Sequence, residues 1–350
     1  MSSFLKLIIK EVKRETANAV SILFNVPEEL KAEYRFVAGQ YVNLKLTLDG
    51  KEIRRAYSIC SSPESGELRI AVKAVKEGVF SQFANNQLKA GDVIEVGKPE
   101  GKFILEPSAD AQKNYIAFAS GSGITPVISI IKSVLKSEPK SSFVLVYGNK
   151  SPEETIFQQE LHDLHLQYVS RFIVDNVYSQ INVDNAQFGR VDKSVINYVL
   201  NTKHKEIEFD QFFLCGPEEM INTACAVLKE KNVSESAIHF ELFTSSSQEI
   251  EIKESLSGHS KITVLVDDEE TSFEMSQKQT ILEAALKKGI DAPYSCQGGI
   301  CSSCLARVTV GTAEMSKNSI LSDKEIADGL ILTCQAHPTS QTIYIDYDDV

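Results

Sequence analysis

Four cysteines near the C-terminus are the residues best suited to chemistry in this chain. Cys296, Cys301, Cys304 and Cys334 have the spacing C-x4-C-x2-C-x29-C, in a sequence of 350 residues with seven cysteines. Two irons bridged by two sulfides need four soft thiolate ligands, and this spacing is typical of them. A zinc site usually shows two short ligand pairs, whereas only Cys301 and Cys304 form one here. The spacing therefore favours a [2Fe–2S] cluster, with zinc or inert core thiols as alternatives.

The loop between the first two of these cysteines is rich in glycine. It reads Cys296-Gln297-Gly298-Gly299-Ile300-Cys301. Glycines let the backbone curl, so that amide groups can point at the sulfurs and tune a cluster. We therefore expect this loop to wrap the cluster.

Two glycine turns follow apolar segments in the middle of the chain. The first is Gly121-Ser122-Gly123-Ile124-Thr125-Pro126, and the second is Cys215-Gly216-Pro217. Glycine permits close backbone approach, proline suits a first helical turn, and a helix N-terminus favours a pyrophosphate. Both turns are thus candidate dinucleotide sites. A plain strand–helix turn and a buried strand-end cysteine remain the alternatives.

A third group of candidates lies in the first hundred residues. The segment Arg55-Ala56-Tyr57-Ser58 precedes Lys73, which leads to Gly78-Val79-Phe80-Ser81. A helix that begins with Gly78 and Ser81 makes an anion site. In isolation, however, Tyr57 reads equally well as a core residue and Arg55 as a surface charge.

The elements that must position these residues change along the chain. Residues 1–106 alternate apolar and polar side chains, which predicts an antiparallel β-barrel or sandwich. The predicted strands are Leu5–Val12, Ala19–Val26, Tyr41–Leu48 and Leu68–Val75.

Residues 107–243 instead alternate strands with helices, which predicts a doubly wound parallel α/β sheet. The predicted strands are Tyr115–Ser120, Phe143–Tyr147, Tyr168–Val174 and Phe209–Leu214. The predicted helices are Pro126–Leu135, Glu153–His165, Lys193–Leu200 and Glu218–Lys231.

The remaining residues predict a linker and a third domain. Residues 244–260 include six serines and show no apolar period, which indicates a flexible linker. Residues 261–350 predict a strand, a helix over Ile281–Lys288 capped by Thr280, the cysteine loop and further strands. This last domain has seven Lys and Arg against fourteen Asp and Glu. Such acidity can steer docking to a basic partner surface or can simply aid solubility.

These motifs resemble those of the ferredoxin–NADP reductase superfamily over nearly the whole chain. The last domain resembles a plant-type ferredoxin with a β-grasp fold, and the first two resemble the flavin and nicotinamide domains. This order is similar to that of self-contained oxygenase reductases, among them reductases of the phenylacetyl-CoA epoxidase type. The resemblance implies FAD, a [2Fe–2S] cluster and NAD(P)H as cofactors.

The resemblance also implies roles for individual residues. Arg55 would bind the flavin pyrophosphate, Tyr57 would pack on the isoalloxazine ring, and Ser58 would hydrogen-bond near its reactive nitrogen. Lys73, Gly78 and Ser81 would hold the pyrophosphate and adenine side, which favours FAD over FMN. The nicotinamide dinucleotide would lie on the two glycine turns, at Gly121, Gly123, Thr125, Pro126 and Gly216.

Three further residues would complete the reaction centre by the same resemblance. Cys215 would lie beside the nicotinamide ring, Glu241 would pair with Ser58, and Phe243 would cover the flavin. A position at an exposed edge is the alternative for Glu241. In relatives that prefer NADPH, an arginine after the third strand holds the 2′-phosphate, and Gln180 in Ser179-Gln180 cannot do so. Lys150 or Arg171 could compensate, so the choice of donor stays open.

The layout predicts an electron relay. A nicotinamide gives two electrons, a [2Fe–2S] cluster accepts one, and a flavin can do both, so the flavin must act between them. We expect an NAD(P)H-dependent reductase whose partner is a terminal oxygenase. One alternative is a reductase that serves another hydroxylase, a desaturase or a hybrid-cluster protein. The others are a non-enzymatic redox sensor and a binding module stapled by zinc.

Charge and hydropathy exclude other classes of partner. The net charge is −12, so the surface repels phosphate backbones and anionic membranes. The sequence lacks a run of about 20 apolar residues that would span a bilayer. The N-terminus does not read as a signal peptide, so we expect a cytoplasmic protein with reduced thiols.

Overall fold

The structure is a computed structural model that describes residues 4–48, 50–243 and 258–350. The described residues form two compact units, and the boundary between them follows Phe243. The predicted linker falls mainly on residues 244–257, which lie outside the described residues. The next strand begins at His259, two residues before the predicted start of the third domain. Within the described part of the chain, every helix is too short or too polar to cross a membrane.

An antiparallel β-barrel forms the first part of the chain. Its strands are β1 Phe4–Thr16, β2 Ala19–Asn25, β3 Tyr41–Leu48, β4 Lys51–Ser58, β5 Leu68–Lys73 and β6 Val93–Gly97. They lie in the order β4-β3-β6-β1-β2-β5, and Ile59 just after β4 pairs with Ile70 in β5. This pair joins the two edges of the sheet and closes the barrel, so the predicted barrel is confirmed. Helix α1, Val79–Asn86, packs Phe80 and Ala84 onto the barrel core.

A parallel sheet with helices on it follows in the same unit. Its strands are β7 Asn114–Ser120, β8 Ser142–Asn149, β9 Phe172–Tyr178, β10 Gln187–Phe188, β11 Gln211–Gly216 and β12 Ile238–Leu242. Its helices are α2 Ile124–Ser137, α3 Gln158–Gln167, α4 Lys193–Tyr198, continued by a π-helical turn over Val199–Lys203, and α5 Glu218–Glu230. The strand order β10-β9-β8-β7-β11-β12 reverses direction between β7 and β11. Ligands of such sheets bind at the carboxyl ends of the strands at this switch point, which is where both glycine turns lie.

Two predicted elements of this sheet are displaced. Strand β9 begins at Phe172, four residues after the predicted start at Tyr168. The buried carboxylate of Asp175 interrupts its apolar pattern, and His204 and Lys203 hold it at 2.8 Å each. The helix predicted from Glu153 begins only at Gln158, because Pro152–Glu154 forms a 3₁₀ turn and Phe157 adopts a left-handed φ of 61°.

The second unit is a small mixed sheet with a helix across it. Its strands are β13 His259–Val266, β14 Glu269–Ser276, β15 Leu305–Val310, β16 Ala313–Met315, β17 Leu330–Leu332, β18 Ala336–Pro338 and β19 Thr342–Asp346. Its helices are α6 Ile281–Lys287 and α7 Asp323–Ala327. The main sheet has the order β14-β13-β19-β15-β17, so the last strand occupies the centre. The hydroxyl of Thr280 accepts a hydrogen bond from the Glu283 amide at 3.2 Å, which confirms the predicted helix cap.

Candidate functional site

The four predicted cluster cysteines come together in the second unit. The Sγ atoms of Cys296 and Cys301 lie 3.1 Å apart. The thiols of Cys304 and Cys334 also contact each other, and both residues are buried. The Cys334 thiol also contacts that of Cys296, so all four sulfurs converge at one place, which suits a cluster of two irons held by four thiolates.

The loop around the first cysteine favours its thiolate. Hydrogen bonds from the thiols of Cys301 and Cys334 hold the pKa of Cys296 well below its ordinary value. The Gly298 amide also donates to Cys296 Sγ at 3.3 Å. A backbone amide therefore points at a ligand sulfur, as the glycine-rich sequence predicts. The donor set and its surroundings fit a [2Fe–2S] cluster.

A chain of buried hydroxyls supports the other pair of cysteines. Tyr347 donates its hydroxyl to Thr333 Oγ1 at 2.8 Å, and Thr333 Oγ1 donates to the Cys304 carbonyl at 2.9 Å. The Thr333 amide donates to the same carbonyl at 3.1 Å. These bonds fix the third cysteine to the residue that precedes the fourth, Cys334. Sequence reasoning missed both hydroxyl residues, because no spacing rule connects them to the cysteine motif.

Strand register builds a second site, at the carboxyl edge of the parallel sheet in the first unit. Cys215 pairs with Ala119 in β7 and with Glu241 in β12. Residues level with each other on neighbouring strands present their side chains to the same face. Ser58, at the end of barrel strand β4, donates its hydroxyl to Glu241 Oε2 at 2.9 Å. The predicted pairing of Glu241 with Ser58 is therefore seen, and Cys215 lies beside it.

Burial sets the protonation of this second site. Burial raises the pKa of Glu241 to about 8, and the hydrogen bond from Ser58 opposes that rise. Burial, and then the Glu241 carboxylate, raises the pKa of the Cys215 thiol well above its ordinary value. Both groups are consequently neutral near pH 7. A neutral carboxyl group next to a hydroxyl can hold a proton and move it. The part of these residues in catalysis stays a prediction.

Two of the predicted flavin-binding residues share one face of β4. Arg55 is exposed, and its Nη1 donates to the Arg54 carbonyl at 2.7 Å. The Tyr57 ring lies 5.2 Å from that of Phe80 in α1, and burial raises the pKa of its hydroxyl. An aromatic ring held between strand and helix can pack on a flat ligand. Flavin contacts of Arg55 and Tyr57 stay predictions.

The loop that leads into α1 requires glycine. A Cβ on Gly78 would lie 2.4 Å from both Ser81 Oγ and Val75 Cγ2. The Ser81 hydroxyl donates to the Gly78 carbonyl at 3.1 Å and accepts from the Val75 amide at 3.2 Å. The structure thus gives Ser81 a part in shaping the loop, and its binding of phosphate stays a prediction. The narrow cradle at Gly78 fits the backbone approach of a dinucleotide.

The two glycine turns pack against each other at the switch point. A Cβ on Gly123 would lie 2.0 Å from the Cys215 carbonyl oxygen. One on Gly216 would lie 2.7 Å from Met220 Cε. Thr125 Oγ1 donates to the Ser122 carbonyl at 3.0 Å and so closes the first turn. Pro126 lies in the first turn of α2, and the N-cap residue Gly123 makes no side-chain hydrogen bond. A helix N-terminus favours a pyrophosphate.

Lys73 lies beside the first glycine turn as well as near the flavin loop. Its Nζ is 3.5 Å from the place where a Cβ of Gly121 would be, and burial lowers its pKa. The Gly121 carbonyl accepts a hydrogen bond from the Tyr147 hydroxyl at 2.9 Å. The prediction placed Lys73 with the flavin alone. This geometry also puts its ammonium group within reach of phosphates bound on the Gly121 turn.

The remaining predicted residues differ in solvent exposure and in whether their side chains already have partners. Phe243 directly follows β12 and is 36% exposed, as a residue that covers a flat ring would be. The backbone N–H of Gln180 donates to the Lys150 carbonyl at 3.0 Å. Lys150 Nζ lies 3.6 Å from the Glu154 carboxylate. The Arg171 guanidinium is occupied by backbone carbonyls, including that of Glu138 at 2.9 Å. Arg171 therefore does not supply the cation for a 2′-phosphate.

Three family models match the chain in succession. An oxidoreductase FAD-binding domain matches residues 6–104, and an oxidoreductase NAD-binding domain matches residues 118–226. A 2Fe-2S iron-sulfur cluster binding domain matches residues 264–339.

Curated relatives match over nearly their whole length. The chain is 37% identical to one of the subunits of 1,2-phenylacetyl-CoA epoxidase of Escherichia coli K12, over 99% of each chain. It is 31% identical to the ferredoxin reductase component of 3-ketosteroid-9-alpha-monooxygenase of Rhodococcus rhodochrous, over 97% of this chain and 96% of that one. The solved structure of phthalate dioxygenase reductase matches with a TM-score of 0.60 and 24% identity, over 98% of both chains, and so shares the fold.

Proposed function

Because this chain belongs to the family of oxygenase reductase components that includes the matching phenylacetyl-CoA epoxidase polypeptide, we propose that it supplies electrons to an oxygenase acting on phenylacetyl-CoA. The chain is an NAD(P)H-dependent oxidoreductase with FAD-, NAD- and [2Fe–2S]-binding domains. The observation that supports the acceptor is the 37% identity over 99% of both chains. The 31% identity to a ketosteroid monooxygenase reductase makes a steroid hydroxylase the second candidate.

When bound, FAD would supply two-electron exchange with NAD(P)H and one-electron release, and the [2Fe–2S] cluster would supply one-electron transfer. The residues of this chain then have distinct tasks. Cys296, Cys301, Cys304 and Cys334 would hold the cluster, two thiolates to an iron. Arg55, Tyr57 and the Gly78 loop would hold FAD, and the Gly121 and Gly216 turns would hold the dinucleotide.

The Ser58–Glu241 pair would hold the one further proton that full reduction of the flavin takes up in addition to the hydride. The carboxyl group of Glu241 keeps its proton near neutral pH, because burial raises its pKa to about 8. The Ser58 hydroxyl lies 2.9 Å from it and belongs to the barrel strand that carries Tyr57. We propose that this pair holds a proton next to the flavin ring. Cys215, fully buried beside Glu241, would shape the place for the nicotinamide.

We also propose that the protein acts in the cytoplasm. All seven cysteines are free thiols. Four of them would hold the cluster, which requires reduced sulfur. Its electron donor, a reduced nicotinamide, is consistent with the same compartment.

Anaerobic absorbance spectroscopy tests the relay. NADH and NADPH are added in turn to the purified holoprotein, and the flavin and cluster bands are followed. Bleaching of both bands supports the relay, and the nucleotide with the sharper end point is the preferred donor. Bleaching of the flavin band alone would refute internal transfer to the cluster.

Reconstitution tests the acceptor. The chain replaces its matching counterpart among the polypeptides of the Escherichia coli epoxidase, and NAD(P)H oxidation that depends on phenylacetyl-CoA is measured. Epoxide formation supports the proposal, and a Cys304→Ser variant serves as the control without a complete cluster. If turnover occurs only with the oxygenase of the ketosteroid system, the second candidate replaces the first.

A further inference from the structure

Asn149 carries a buried amide that the fold does not satisfy. The side chain ends strand β8 and is 9% exposed, and neither Oδ1 nor Nδ2 has a hydrogen-bond partner among the residues that the structure describes. The amide approaches the Tyr147 hydroxyl but does not reach hydrogen-bond geometry with it. That hydroxyl already donates to the Gly121 carbonyl. Buried polar atoms almost always have partners, so an amide with none is expected to have a role outside the protein's own contacts.

The position of Asn149 indicates what that partner is. Strand β8 lies next to β7, and Gly148 is level with Ser120, so Asn149 is level with the Gly121 turn. Asn149 and Tyr147 point to the same face of the sheet, and Tyr147 reaches Gly121 from that face. The unsatisfied amide therefore lies beside the N-terminus of α2, where a pyrophosphate is expected.

The direction in which a bound dinucleotide must run also brings it to Asn149. Its nicotinamide end must reach Cys215 and Glu241, which lie on β11 and β12 on one side of β7. The rest of the molecule then runs over the other side of β7, where β8 is the first strand. An amide offers two N–H donors and one acceptor. Phosphate oxygens accept, and ribose hydroxyls both donate and accept, so this part of the dinucleotide can satisfy both ends of the amide.

We propose that Asn149 binds the pyrophosphate–ribose part of NAD(P)H through its side-chain amide. This inference rests on the proposed function, because it takes NAD(P)H as the ligand of the Gly121 turn. Asn149 is level with Gly121, whereas Cys215 is level with Ala119, two residues earlier in the chain. Asn149 therefore acts in binding rather than in the electron step. Its loss is expected to change KM and to leave kcat nearly unchanged.

Steady-state turnover with ferricyanide tests the proposal on the holoprotein. Asn149→Leu removes the donors and the acceptor but keeps the branched shape and the number of heavy atoms, and we expect KM for the preferred nucleotide to rise about ten- to hundredfold. Asn149→Asp keeps an acceptor but places a negative charge beside the pyrophosphate, so its KM should rise at least as much. Asn149→Thr offers one hydroxyl in place of the amide and should give an intermediate KM. Asn197→Leu on α4, where the amide donates to the Lys193 carbonyl, is the matched control and should leave KM unchanged.

The outcomes separate this inference from the proposed function. If KM of Asn149→Leu equals that of the wild type while its thermal midpoint rises, the amide is only an internal defect or a water site, and the inference fails. If Asn149→Leu does not retain flavin, the other two variants test the inference: KM should be highest for Asn149→Asp, intermediate for Asn149→Thr and lowest for the wild type. If neither nucleotide reduces the wild-type flavin, the proposed function itself is refuted, whatever the variants do. Reduction by dithionite should be equal in all of them.

Discussion

Replacing Glu241 with glutamine should remove one specific pH dependence of stability. The pKa of this carboxyl group rises from 4.5 to about 8 on folding, with burial as the main cause. A group whose pKa is higher in the folded state contributes stability that is complete below pH 4.5 and is lost as pH rises through 8. At pH 6 the group is two units below its folded pKa, and each unit is worth about 1.4 kcal/mol. The wild type should therefore lose about 3 kcal/mol between pH 6 and pH 9 from this group alone.

Glutamine keeps the shape and the acceptor for Ser58 but cannot ionise. The Glu241→Gln variant lacks this loss. The difference in unfolding free energy between variant and wild type should therefore shift in favour of the variant by about 3 kcal/mol from pH 6 to pH 9. Urea unfolding of the flavin-free protein, followed by far-ultraviolet circular dichroism at both pH values, measures the difference. Glu208→Gln, at an exposed carboxylate, is the control and should run parallel to the wild type. Parallel curves for Glu241→Gln as well would refute the raised pKa.

The same ionisation should appear in turnover. If the Ser58–Glu241 pair holds the proton that accompanies the electrons, kcat of the wild type should fall as pH rises through about 8. The glutamine variant should be slower at pH 7 and should lack this fall. A break near pH 8 that survives in the variant would assign the titration to another group.

Three further predictions concern the turns and the cluster. Gly123→Ala places a Cβ 2.0 Å from the Cys215 carbonyl, so KM for NAD(P)H should rise and the thermal midpoint should fall, whereas Gly97→Ala, with ordinary 3.5 Å contacts, should change neither. Tyr347→Phe breaks the hydrogen-bonded hydroxyl chain that supports Cys304 and should speed loss of the cluster absorbance band in air, by an amount consistent with one buried hydrogen bond of about 1 kcal/mol. The control is Tyr344→Phe, which removes a hydroxyl that donates to exposed Glu270 and should leave this rate unchanged. Removal of the iron with a chelator should abolish electron delivery to a protein acceptor but leave flavin reduction by NAD(P)H intact, and loss of flavin reduction would show that the two centres depend on each other.

The cysteine ligands and the fold classes were predictable because they depend on local sequence. Ligand spacing and apolar periodicity are short-range signals. The [2Fe–2S] domain, the barrel and the α/β sheet are confirmed, and the assignment of the four cysteines as ligands stays a prediction. The pairing of Ser58 with Glu241 joins residues 183 positions apart, so it was predictable only through a family resemblance.

The misplaced and missed features depend on tertiary partners. The predicted start of β9 was wrong because residues 168–171 form a turn, in which the Phe172 amide donates to the Tyr168 carbonyl at 2.8 Å. Its end was predicted too early because Asp175 is polar inside the strand, and the partners His204 and Lys203 are distant in sequence. Asn149 was missed because an unsatisfied amide can be recognised only when every possible partner has been placed. Thr333 was missed for a similar reason, since its link to the cluster runs through hydrogen bonds rather than spacing.

The central position of β19 has a consequence for how the protein is made. Strand β19 runs between β13 and β15, and Tyr347, just beyond it, supports the loop of Cys304. Domains generally fold from the N-terminus during synthesis, so the barrel and parallel sheet can fold before β19 has left the ribosome. The cluster thiols acquire their support only after β19 and Tyr347, which follow all four cysteines in the sequence, have been made. Iron insertion is therefore expected to follow the synthesis of β19, and a stop codon between Cys334 and Thr342 would yield a flavoprotein that accepts electrons but cannot deliver them through a cluster.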